Sequence, residues 1–442
     1  MRILEIISDA VFGKPAVAIL LFVGFLFTVS SGFFQIKRAG LIFSKTAGSL
    51  FSKKERKDKS ALSPVSSALS ALCATIGTGS IAGVAAAICV GGAGAVFWMW
   101  VSGMLSMMTA YAEGVLSIKY RTHNGKEHSG SAMSYIKKSL GKAPAKLYSF
   151  FLLGACLCMG AMVQASAAAK SAEYVTGISD IVLAVVIAIA GLAVSLTGTK
   201  TLGRLLSRLM PIMTALYFVG CAAVLFMTRE SILPSFERIF CEALGIRQCA
   251  GGVLGSLIMG CRRGVFSTEA GLGTTVPIHS KSDCDEPCEM GMWGIFEVFV
   301  DTFVIGTLTA LVTLSTGADR ITSDGAVAVL SAFESQLGFA GSVVCALATI
   351  LFAFASIFAF TAIGKTAISY LTGFSHSDEI YGLILCIVLY FASVTDITTA
   401  FVISDIFSGL MLMINLAALI LLAPAVKEET ISYLKSQRRH DG

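Results

Sequence analysis

In the stretch GIFEVFVDTFV, Glu297 and Asp301 stand four residues apart, so on a helix both carboxylates share one face. In MGCRRGVFSTEAGLGTT, Met259 to Thr275, three more charged residues, Arg262, Arg263 and Glu269, sit among four glycines between apolar neighbours. A third stretch, ATIGTGSIAGV from Ala74 to Val84, carries no charge but sets Gly77, Thr78, Gly79 and Ser80 side by side, all poor helix formers. Carboxylates in apolar surroundings are costly and demand a partner, a proton or a cation. Runs of glycine and hydroxyl residues leave main-chain groups unpaired. Free N–H groups at the start of a helix attract an anion, and free carbonyls attract a hard cation. This is the chemistry of holding ions and zwitterions. No HExxH, nucleophile elbow or nucleotide loop accompanies it, which argues against an enzyme.

These stretches must be positioned by helices that live in lipid. Of 442 residues 55% are hydrophobic and 14% charged, with mean hydropathy +0.80, whereas a soluble domain is about a quarter charged. A bilayer core needs about 20 apolar residues per helix. Runs of that kind predict eleven helices, at 15–34, 62–90, 92–119, 145–173, 179–197, 208–228, 248–281, 287–316, 339–371, 379–394 and 397–425. The first run shows no clear small-residue cleavage site and continues to Phe34, so it reads as a retained span. Twelve cysteines are scattered through apolar segments without paired spacing, as small buried hydrophobes rather than a disulfide framework.

Basic residues set the orientation. Lys37, Arg38, Lys45, Lys53, Lys54, Arg56, Lys57 and Lys59 crowd the first loop and assign it to the cytoplasm. Alternation then brings Arg121, Lys126, Lys137 and Lys138, Lys200, Arg204 and Arg208, and the Arg438-Arg439 tail to the same side, with the N-terminus outside. The opposite loops are mixed or acidic, with Glu173, Asp180, Glu230, Glu237, Glu242, Asp319, Asp324 and Glu334. The net charge of +5 therefore reports topology in a lipid bilayer and does not point to nucleic acid.

A transmembrane helix can be interrupted only where its freed backbone groups face a cavity, an ion or protein. Gly77 and Gly79 taken alone also fit close helix packing, as Gly83, Ala85, Ala86 and Ala87 of the same run suggest. No strand fits ahead of them, which argues against a phosphate loop or dinucleotide fingerprint. The second interruption, at 259–275, shifts the balance. With the first span set aside, ten helices form two sets of five and each set opens on an interrupted helix, the sign of a secondary transporter built as an inverted repeat. The corresponding division is 1–61 for the first span and its basic loop, 62–228 and 229–425 for the repeats, and 426–442 for a cytoplasmic tail.

The segments GTGSIAGVAAAICVGGAGAVFWMW (Gly77 to Trp100), RRGVFSTEAGLGT (Arg262 to Thr274) and VFVDTFVIGTLTALV (Val298 to Val312) resemble signature segments of the alanine or glycine:cation symporters, also named sodium:alanine symporters. The similarity extends to SGFFQIKRAG (Ser31 to Gly40) and the helix around Gln164, and so spans nearly the whole chain. It implies an all-α integral membrane protein with the leucine-transporter fold: a 5+5 inverted repeat plus one extra N-terminal transmembrane helix. It also implies uptake of a small neutral amino acid driven by sodium. A buried zwitterion needs both charges matched. The amides of Thr78 and Gly79 would take the carboxylate, and the carbonyls of Cys73, Thr75 and Ile76 the ammonium group and Na+. By position in the family, Gln164 contacts the substrate, Phe266 covers it, Ser356 supplies a hydroxyl ligand to sodium or substrate, and Phe360 stands at the pocket.

The chain departs from the family where it has Ser80 for asparagine, Thr268 for asparagine and Phe360 for tryptophan. These changes trim volume or polarity near the pocket and leave open a larger amino acid. Glu297 and Asp301 have two readings. Either they pair with Arg262 or Arg263 or with hydroxyls of a neighbouring helix, or Glu297 binds a proton, which makes the two acids candidate coupling carboxylates. His279, Cys284 and Cys288 fit no zinc spacing well. Glu113 and Lys119 read as interface anchors, and Trp98 and Trp100 as an aromatic belt. An amino-acid-permeable channel is the competing class. The substrate's identity and stereochemistry, sodium against proton coupling, and the oligomeric state are not legible in the residues.

Overall fold

Apolar segments in lipid become helices because each backbone N–H must find its acceptor within the segment. The computed structural model describes residues 2–51, 62–124, 127–246, 252–374 and 376–440. Of the basic residues used for orientation, Lys53, Lys54, Arg56, Lys57, Lys59 and Lys126 lie outside these, as does the start of the 248–281 run. The principal helices are α1 (Arg2–Phe12), α2 (Lys14–Ser30), α3 (Pro64–Thr75), α4 (Gly79–Gly91), α5 (Gly94–Lys119), α6 (Lys142–Thr176), α7 (Asp180–Ser195) and α8 (Thr199–Met227). They continue with α9 (Arg229–Ala243), α10 (Gly252–Thr268), α11 (Val276–His279), α12 (Pro287–Thr316), α13 (Gly325–Thr372), α14 (Ser377–Ser393) and α15 (Ile397–His440).

Among the described residues, seven helices are long and apolar enough to cross a membrane, and eight if α3 and α4 count as one span bent by 50°. Each of the eleven runs expected from the sequence coincides with a helix. Beyond the bent pair α3–α4, helices α2, α7, α10 and α14 have only 17, 16, 17 and 17 residues. Several features differ from expectation. Helix α1 precedes the first run and packs along α15. A small antiparallel hairpin pairs Thr122–Asn124 with Glu127–Ser129. Helix α13 begins at Gly325 and kinks at Gly338, where φ is +64° and ψ is −162°. Helix α15 stays helical to His440, so most of the segment read as a tail extends a helix.

The bundle is held by close helix contacts. Helix α5 lies between α10 and α12, α13 packs on α6 and α8, and α7 pairs with α14. Small residues set the approach: a Cβ on Gly114 of α5 would stand 2.7 Å from the Met290 carbonyl oxygen of α12, which matches the small-residue interfaces of membrane helices. Trp293, Tyr111, Tyr135, Tyr148 and Tyr217 are fully buried, while Ile181, Val186 and Ile189 of α7 are exposed on the outside.

Candidate functional site at two helix breaks

At the first break, α3 ends because its next hydrogen bonds are diverted. Gly77 N–H turns back to the Thr75 carbonyl at 2.8 Å, and Thr78 N–H is taken by Gln164 Oε1 at 3.1 Å. In a continuous helix those donors would serve the Cys73 and Ala74 carbonyls. Both carbonyls instead meet Ser356 of α13, whose hydroxyl donates to Cys73 O at 3.0 Å and lies 3.5 Å from Ala74 O. The result is a set of main-chain and hydroxyl oxygens suited to a hard cation. Thr75 is buried and its hydroxyl points back to the Ala71 and Leu72 carbonyls. Ile76, at φ −78° and ψ +75°, turns the chain.

Gln164 is positioned by a second irregularity. Helix α6 widens into a π turn at Cys158–Met162, and Gln164 Nε2 donates to the Met159 carbonyl beside it at 3.2 Å. This orients Oε1 toward Thr78, where it accepts both the amide and the hydroxyl, the latter at 2.9 Å. The amide carbonyl of Gln164 thus caps the start of α4. Thr78 N–H is therefore engaged rather than open to an incoming carboxylate as expected. The same π turn presents Gly160 to Phe360: a Cβ there would stand 2.3 Å from Phe360 Cβ.

The second break is shorter than the sequence suggested. Helix α10 runs unbroken through Arg262 and Arg263 to Thr268, and the irregular stretch is 269–275. Glu269, Gly271 and Gly273 take φ of +55°, +90° and +75°. Only the glycines do so without strain. Glu113 of α5 accepts a hydrogen bond from Asn415 Nδ2 at 2.7 Å. Asn415 also donates to Gly271 O at 2.8 Å, and Tyr148 to Leu272 O at 2.6 Å. Glu113 is thus no interface anchor. It is 2% exposed and braces the break, whereas Lys119 does pair with Glu429 at 2.8 Å.

The two breaks meet. A Cβ on Gly79 would stand 3.0 Å from the Phe266 ring and 3.6 Å from Ser267 Cα. Ser80 and Ser267 hydroxyls lie 3.0 Å apart. Asp301 of α12 accepts from both, from Ser80 in a short contact and from Ser267 at 2.7 Å. Asp301 thus bonds hydroxyls of the two neighbouring helices. Among the described residues neither it nor Glu297 meets an arginine; Glu297 Oε1 lies 3.0 Å from His279 Nε2. His279 forms no metal cluster with Cys284 and Cys288 among the described residues.

Arg263 lies over the rings of Phe266 and Phe401, 5.3 and 4.5 Å from their centroids. It makes a short ion pair with Asp405 of α15, which Arg262 shares at 2.9 Å. Arg262 also reaches Asp9 of α1 at 2.9 Å and contacts Ser8. The sequence reading missed Asp405, Phe401, Ser267 and Asp9. A lone acid in the apolar run TTAFVISDIF was the available signal for Asp405.

The description "Sodium:alanine symporter family" belongs to the family profile that matches residues 1–441. The chain is 31% identical to the sodium/alanine symporter AgcS of Methanococcus maripaludis, over 98% of this chain and 97% of that protein. It is 28% identical to the amino-acid carrier protein AlsT of Bacillus subtilis, over 99% and 93%. The crystal structure of MhsT in complex with L-phenylalanine superposes with TM-score 0.61 at 13% identity, covering 86% of this chain and 99% of that one, and gives the leucine-transporter fold. Two facing helix breaks, that fold and a whole-chain match place this multi-pass membrane protein in the sodium:alanine symporter family, whose members are cation-coupled amino-acid symporters and not enzymes.

Proposed function

We infer that the protein takes up a small neutral amino acid, alanine or glycine, together with Na+ by alternating access, with its N-terminus outside and its C-terminus in the cytoplasm. The observation that carries this reading is the diversion of backbone hydrogen bonds at the first break, which leaves the Cys73 and Ala74 carbonyls facing Ser356. Na+ binds to the Cys73 and Ile76 carbonyls and Ser356 Oγ. The amino acid's carboxylate takes the Gly79 amide and displaces Gln164 from that of Thr78, while the Thr75 carbonyl receives the ammonium group. Phe266 closes over the side chain, with Ser80 and Phe360 at its border, and Asp301 holds the two breaks in register as a coupling carboxylate.

One half-bundle rocks against the rest around this central site, which the two broken helices bound. Coupling is reciprocal: sodium must raise substrate affinity by the same factor as substrate raises sodium affinity. Proteoliposomes containing the purified protein, given an inward Na+ gradient, are expected to concentrate labelled L-alanine above the external level. A channel would only equilibrate it. Alanine affinity indifferent to Na+ would overturn sodium coupling. Competition by the twenty standard amino acids and their D-forms identifies the substrate. Phenylalanine at position 360, where the family has tryptophan, motivates a larger side chain as the second reading.

A further inference from the structure

We propose that His279 and Glu297 together carry one proton per cycle, moving inward with the amino acid; this rests on the transport reading above. The two side chains are 1% and 4% exposed and joined at 3.0 Å, and Nδ1 of His279 has no hydrogen-bond partner among the described residues. Glu297 lies ten residues into α12, roughly 15 Å along the helix at about 1.5 Å rise.

Charge counting shows what the pair can hold. With Glu297 ionised and His279 neutral it carries one negative charge, and one proton shared between Nε2 and Oε1 makes it neutral. The titratable groups within electrostatic range of Glu297 supply no compensation: Glu113 from α5 and Glu269 from the second break are acids, as is Asp301 one turn along α12. Helix α3 offers only Cys73. The cations of nearby elements are engaged elsewhere, Lys45 with Glu289, Lys119 with Glu429, and Arg121 with the Ser282 carbonyl and Asp285. A buried charge without a partner is unfavourable, and one shared proton removes it.

Opening would release it. The end of the second broken helix is stitched to the start of the first: Leu62 N–H donates to Lys281 O at 3.1 Å, Asp283 N–H to Leu62 O at 2.7 Å, and Ser67 Oγ to Ile278 O at 3.0 Å. Movement of α3 therefore drags the residues on both sides of His279 and admits water to the ring. The proton taken from water on the entry side leaves to water on the exit side, and no other bond changes.

The test uses proteoliposomes with a pH dye inside, an imposed Na+ gradient and added L-alanine. Wild-type protein is expected to acidify the lumen as alanine enters, and an inward proton gradient should raise uptake at least twofold. Glu297→Gln and His279→Gln should lose both responses while keeping Na+-dependent protection by alanine against thermal unfolding, which reports an intact site. Sodium-driven alanine uptake by wild-type protein without lumen acidification would overturn the proton proposal and leave symport standing. Absence of any uptake would instead remove the transport reading on which it rests. Variants that keep the wild-type pH response would also overturn the assignment. Should neither variant fold, the wild-type proton measurement decides alone.

Discussion

Gln164 Oε1 accepts two hydrogen bonds from Thr78, from the amide at 3.1 Å and the hydroxyl at 2.9 Å. A neutral side chain from another helix thereby satisfies the first orphan donors of α4, at the point where an amino-acid carboxylate is expected. The same economy governs the second break, where Asn415 of α15 and Tyr148 of α6 donate to the Gly271 and Leu272 carbonyls at 2.8 and 2.6 Å. Each interruption is held open by a side chain from outside the broken helix, so neither is a local defect.

Replacing this cap separates stability from binding. Gln164→Ala should lower thermal stability by about 1 kcal/mol, the usual loss for an N-cap. Gln164→Glu places a permanent carboxylate at the start of α4 and competes with the substrate's own. Alanine affinity should then fall at least tenfold, about 1.4 kcal/mol, in a binding assay on the purified variant. Unchanged affinity in Gln164→Glu would place the substrate carboxylate elsewhere.

Gly79 tests the approach of the two breaks. Its added Cβ would meet Phe266 Cδ1 and Cε1 at 3.0 and 3.1 Å. Overpacking of this kind costs about 1–3 kcal/mol. Gly79→Ala should abolish uptake while the protein still purifies folded, and Phe266→Leu in the same chain should recover part of the uptake by removing the ring. A fully active Gly79→Ala would show that the breaks do not need this contact.

How much of this was legible depends on whether the signal was local. The first break was readable because Gly77 to Ser80 combine poor helix formers in an apolar run, and the second because Arg262, Arg263 and Glu269 sit at membrane depth. Their exact partners were not. Arg262 and Arg263 were set against Glu297 and Asp301 as acids within another apolar span, yet the chain pairs them with Asp405, more than a hundred residues on. The helix also carries both arginines unbroken, since Asp405 meets the charge and no unwinding is needed. The π turn at Cys158–Met162 that orients Gln164 has no composition that distinguishes it from ordinary helix. Helix α1 was overlooked because its polar face, with Ser8 and Asp9, falls below the apolar run used to find spans.

Ser80 is fully buried and makes the contacts that a longer asparagine would have to reproduce, to Ser267, to Asp301 and, through its carbonyl, to Thr309 at 2.9 Å. Ser80→Asn must push against this ring of oxygens. The apparent affinity for sodium or for alanine should shift by at least threefold in Na+-titrated uptake. Asp301→Asn keeps the size but removes the charge, and should weaken the sodium response tenfold or more. If both variants titrate like wild type, the junction of the breaks is a structural brace only.

The ion pairs over Phe266 predict an unequal pair of single substitutions. Asp405 is the shared acid of two arginines, whereas Arg262 has a second acid in Asp9. Breaking a buried pair by removing one partner costs about 3–5 kcal/mol because the other charge is left without compensation. Asp405→Ala strands Arg263, which has no other acid among the described residues and is 5% exposed. Arg263→Ala leaves Asp405 still paired with Arg262. Asp405→Ala should therefore lower the unfolding temperature in detergent much more than Arg263→Ala does. The double variant should be more stable than Asp405→Ala alone, since it removes the stranded cation. Equal and additive losses would mean that the two residues do not share a single electrostatic unit.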